Sequence, residues 1–112
     1  MRIQCTLEDF PDCWVEVSET WTRAEERQLI GSNADQWIEL WQRKVVACNL
    51  RTVDGEFLTQ PAAVTWDSID QMDVRLTGFV GAVLSTAVQE LRSLGKVSRR
   101  VSFNGAAAAK PA

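Results

Sequence analysis

The stretch from Asp67 to Gly95 constrains this chain most. Leu76, Val80, Val83, Leu84, Ala87, Val88, Leu91 and Leu94 recur there at three- and four-residue steps, the period of a helix that buries one side. From Asp73 to Leu94 such a helix runs about 33 Å at 1.5 Å per residue, about the width of a small domain. In a chain of 112 residues an element this large organises the fold. Asp67, Asp70 and Asp73 fall where acids favour the positive end of a helix, and Gly95 is expected to stop it.

Two shorter segments alternate apolar and polar residues, the period of a half-buried strand. These are Arg2–Leu7 and Cys13–Ser18, and pairing them across the loop Glu8–Asp12 predicts a definite register. Ile3 faces Val17, Cys5 faces Val15 and Leu7 faces Cys13 on an apolar side, with Gln4 opposite Glu16 and Thr6 opposite Trp14 on the other. Cys5 and Cys13 are then diagonal neighbours, which argues against a disulfide.

Thr22 and Glu25 form a capping box ahead of a short helix Arg23–Ile30, which Gly31 stops. Asn33 or Asp35 caps a second helix, with Trp37, Ile38, Trp41 and Val45 along one side. A strand from about Val46 to Val53 follows. Asp54-Gly55 reads as a two-residue hairpin turn and Glu56–Thr59 as the return strand. Pro61 ends that segment, and Thr65 or Asp67 starts the next helix. The expected fold is α+β: a helix-rich single domain over residues 1–103, with an N-terminal β-hairpin, a second short hairpin and a long C-terminal amphipathic helix. Residues 104–112, with four alanines and little bulk, are expected to be a disordered tail.

Apolar residues at 46% and charged residues at 24% suit an ordinary globular domain. The formal charge of −3 is unevenly spread: residues 1–73 carry −8 and residues 74–112 carry +5. A chain so divided can complement itself, within one molecule or head to tail between copies, so a homo-oligomer is possible. The acidic total and the small basic cluster Lys96, Arg99 and Arg100 disfavour nucleic acid. The apolar run Gly78–Val88 is too short to span a bilayer and is bracketed by Arg75 and Glu90, so no membrane is expected. The three cysteines, Cys5, Cys13 and Cys48, show no Cys-x-x-Cys spacing and no secretory signal precedes them. They are expected to be buried thiols of a cytoplasmic protein.

The chain contains no histidine and no tyrosine. That removes the commonest general base, the commonest zinc ligand and every Ser–His or Cys–His nucleophile pair. No glycine-rich phosphate loop is present, and Gly78 and Gly81 read as places where helices pack closely. The expectation is no enzyme, no catalytic residue, no metal and no cofactor. Five tryptophans, Trp14, Trp21, Trp37, Trp41 and Trp66, exceed ordinary usage. Packing is the default use for Trp37 and Trp41, whereas Trp14 falls on the polar face of the hairpin, covered by the first helix or offered to another protein. A partner surface is expected to draw on Trp14, Trp41, Arg99 and Arg100.

Cys48–Leu58, CNLRTVDGEFL, then a proline-containing linker and an acid-started amphipathic helix, resembles the small tail assembly chaperones of long-tailed bacteriophages and prophages. Trp21-Thr22-Arg23-Ala24-Glu25, opening a helix, is similar in style, and the likeness covers roughly Trp14 to Gly95. Cys48, where a bulkier residue is common, and the N-terminal hairpin depart from the pattern. The resemblance implies a non-enzymatic factor in the host cytoplasm that binds the tape-measure protein and supports tail-tube assembly. Two alternatives stay open: a structural tail or connector component retained in the virion, and a small bacterial adaptor subunit.

Overall fold

A computed structural model describes the backbone of residues 1–103 and the side chains of residues 1–94. The expected disordered tail, 104–112, lies outside the described residues. Four strands form one antiparallel sheet in chain order: β1 (Arg2–Gln4), β2 (Trp14–Val17), β3 (Val45–Arg51) and β4 (Phe57–Leu58). The helices are α1 (Arg23–Gly31), α2 (Ala34–Lys44), α3 (Trp66–Asp70) and α4 (Val74–Phe103), with a 3-10 turn at Pro61–Ala63. The fold is α+β.

The N-terminal hairpin forms with the expected faces and a different register. Ile3 pairs with Val15 and Gln4 with Trp14, a slip of two residues, which keeps every side chain on its face. The cause is Phe10, which folds back into the core at 7% exposure and draws a longer loop with it. Phe10 N–H donates to Leu7 O, and Cys13 N–H to Phe10 O. Cys5 consequently faces Cys13 directly, its N–H donating to Cys13 O at 3.0 Å, rather than lying diagonal to it. Both thiols are free and buried, as is Cys48.

The capping signals are realised. Thr22 and Glu25 close a box on α1, and Asn33 and Gln36 close a second on α2, each satisfying backbone N–H groups that a helix start leaves unpaired. Between α2 and β3 there is no loop: Val45 N–H donates to Trp41 O, and the strand begins at that residue. Across from it, Val17 pairs with Val45 and Glu16 with Ala47. Val46 is therefore a bulge residue, turned outward at 65% exposure. The second hairpin turns through three residues, not two. Thr52 N–H donates to Glu56 O, Gly55 N–H to Thr52 O, and Gly55 takes φ +89°, a left-handed position that glycine adopts without strain.

The long helix departs from expectation at both ends. It is split by Gln71–Asp73, because Gln71 N–H turns back to the Ser68 and Ile69 carbonyls while Val53 N–H pins Gln71 O at 2.9 Å. Asp73 then restarts it, its carboxylate accepting from Arg75 N–H at 2.9 Å. Of the three acids, Asp67 lies in the first turn of α3, Asp70 ends α3 and Asp73 precedes α4. Gly95 does not end α4, which runs to Phe103.

All helices that bury side chains do so against one sheet face. Val15, Val17, Cys48 and Leu50 meet Leu40 and Trp41 of α2 and Leu76, Val80, Val83, Leu84 and Ala87 of α4 in one core. Gly78 and Gly81 face outward on α4, and nothing lies within 4 Å of where a Cβ would stand. They serve no close helix packing. Among the described residues, no helix is long and apolar enough to cross a membrane.

Candidate protein-interaction groove

Trp41 anchors the groove from below. Fully buried, it donates its indole N–H to Val80 O at 3.3 Å and so fixes α2 against α4. One turn earlier on α2, Trp37 emerges half-buried. Thr65 and Ser68 cap α3 reciprocally, which places Trp66 at its first position, 38% exposed. The two indoles meet with ring centres 5.5 Å apart and planes tilted by 34°, within the range of favourable aromatic pairs. Ile69 and Met72 form the floor, and Val74, Thr77 and Gly81 of α4 form the far wall of a groove of about 590 Å³. Val74 stands 81% exposed at its rim. The absence of a side chain at Gly81 keeps that wall low.

Among the described residues, Asp70 is the only charged one lining this groove. Neither it nor Asp67 has a cationic partner among the described residues, whose ion pairs use other acids. Other charges are tied between elements. Lys44, 7% exposed, pairs with Glu25 at 2.8 Å, donates to Thr20 O at 2.7 Å and lies 5.1 Å from the Trp21 ring centre. Its hydrogen bond, followed by that from Thr22 N–H, holds the Glu25 carboxyl below its ordinary range. Two arginines of α4 reach the acidic body: Arg75 pairs with Asp9 and Asp73, and Arg92 with Glu26. The Arg75 hydrogen bond lowers the Asp73 carboxyl likewise.

Among the described residues no cluster of three potential ligands could hold a metal ion. Burial pushes the Cys48 thiol up to about 11, and burial, then the Asp12 charge, raises Cys13, the opposite of what a nucleophilic thiolate needs.

The residues singled out by sequence are scattered. Trp14 is on the polar sheet face as expected, but Arg2 covers it, its guanidinium 3.8 Å from the ring centre, instead of helix α1. Trp41 is core, 0% exposed, because α2 turns it toward α4; it supports the groove without presenting a surface. The side chains of Arg99 and Arg100 lie outside the described residues. Sequence reading passed over Trp66 and Val74. The signal was present: a capping Thr65 with Ser68 three residues on puts Trp66 in an exposed first turn. The chain matches no family model, no curated protein and no solved structure.

Proposed function

We propose that this protein works by binding another polypeptide, as a tail assembly chaperone of a long-tailed phage or prophage that receives the tape-measure protein in the host cytoplasm. The observation that supports this reading is the Trp37–Trp66 groove. Paired, partly exposed indoles beside Ile69, Met72 and Val74 make an apolar slot open to solvent, and tryptophan is among the side chains that carry binding energy at protein contacts. An amphipathic helix laid in such a slot buries its apolar side, the need of a long helical client before it is assembled. The CNLRTVDGEFL segment and the linker after it join this physical reading to the tail-assembly family.

Co-expression with the tape-measure protein tests it. The wild-type chain should keep that protein in solution and co-purify with it, and Trp66→Ala should lose most of the co-purified material while remaining folded. Detection of the chain as a stoichiometric part of mature particles would favour the retained-component alternative. Retention of the client by Trp66→Ala would remove the groove from the proposal.

A further inference from the structure

The groove occupies one end of α4, and Lys96, Arg99 and Arg100 of the same helix lie toward the other. Among the described side chains of α4, Ala87 is the last that is buried, and Leu94 is 58% exposed. The sequence nevertheless continues the same spacing, with Leu91, Leu94, Val97 and Val101 at three- and four-residue steps and Lys96, Arg99 and Arg100 set between them. This spacing is the sequence pattern of a basic amphipathic helix.

We propose that the groove receives the last turns of α4 from a second copy of this chain. Charge complementarity selects this occupant: Asp70 lines the slot, Asp67 precedes it by three residues on the same short helix, and the incoming segment is basic. The chain as a whole is divided the same way, −8 over residues 1–73 and +5 over 74–112. The molecule cannot satisfy the contact alone. Thr77 at the groove and Arg99 are separated by about 33 Å along one helix, and a helix does not fold back on its own first turn. The contact is therefore heterologous, groove to tail, and each copy still offers one groove and one tail. Such contacts propagate into rings or open chains rather than stopping at a dimer. The inference rests on the groove accepting a helix, not on any role in tail assembly.

Sedimentation velocity on the full chain tests it, with two charge-reversed variants. One is Asp67→Lys/Asp70→Lys, and the other is Lys96→Glu/Arg99→Glu/Arg100→Glu. The wild type should associate at low salt and weaken at least about tenfold by half-molar salt, since exposed ion pairs are screened there. Each variant alone should associate about tenfold or more weakly than the wild type. Mixed in equal amounts, the two should associate again, and that recovery also shows that both are folded. A wild type that stays monomeric at every salt concentration overturns the proposal, as does a mixture that stays dispersed. Association lost on groove reversal but untouched by tail reversal would mean symmetric groove-to-groove pairing and overturn it too. The tail reversal leaves the groove itself unchanged, so loss of its self-association with client co-purification through Trp66 retained separates this contact from the proposed client role.

Discussion

Replacing Glu25 by Gln would isolate one charge in a partly buried network. Glutamine can still close the capping box, so the start of α1 is retained while Lys44 loses its counter-ion. Lys44 keeps Thr20 O and the Trp21 ring, but at 7% exposure it cannot turn to water. Exposed pairs are worth under about 1 kcal/mol, and stripping one partner from a fully buried pair costs about 3–5 kcal/mol. Glu25 is 22% exposed, so the cost should fall between, at about 2 kcal/mol. Lys44→Met should change stability by less than about 1 kcal/mol, because the ammonium and its need for a partner leave together and Thr20 is an exposed residue. In that background Glu25→Gln should cost under about 0.5 kcal/mol. Urea unfolding followed by tryptophan fluorescence measures all four corners of the cycle. Glu25 is depressed in the folded state, so its contribution is present above the ordinary value near 4.5 and lost as pH falls through the lower folded one. The gap between wild type and Glu25→Gln should accordingly close in acid. An equal cost of Glu25→Gln in both backgrounds, or a gap that persists in acid, would refute the coupling.

Other expected outcomes are narrower. Gly78→Ala should raise stability by about 1 kcal/mol, because an exposed helical glycine with open space around it has only backbone entropy to lose; a lower unfolding midpoint would mean an unseen packing role. Gly55→Ala should cost about 1 kcal/mol, since φ +89° strains any side chain, and equal midpoints would contradict the three-residue turn. Trp41→Phe should cost about 2 kcal/mol through a cavity and the lost bond to Val80 O, read by thermal unfolding. The three thiols should react with an aromatic disulfide reagent at pH 8 only on unfolding, given their burial and the raised Cys13 and Cys48; rapid labelling of the folded protein would contradict that.

Signals that act within a few residues were readable in the sequence. The Thr22–Glu25 box, alternation along Trp14–Val17 and the apolar spacing of Leu76 to Ala87 each specify local geometry, and each appears in the fold. Features set by distant partners were not. The two-residue slip of the first hairpin depends on Phe10 finding the core. The break at Gln71–Asp73 depends on Val53 capturing a carbonyl eighteen residues along the chain. The groove escaped for the same reason. Trp37 and Trp66 lie on separate helices: the Trp41 bond to Val80 O holds α2 against α4, and Gln42, donating to Val64 O, ties α2 to the segment that leads into α3.

The sheet's margins are short, three residues in β1 and two in β4. A margin that brief presents few unpaired backbone groups to a neighbouring strand. Copies of the chain can therefore stand close together at high concentration without their sheets fusing into cross-β aggregates.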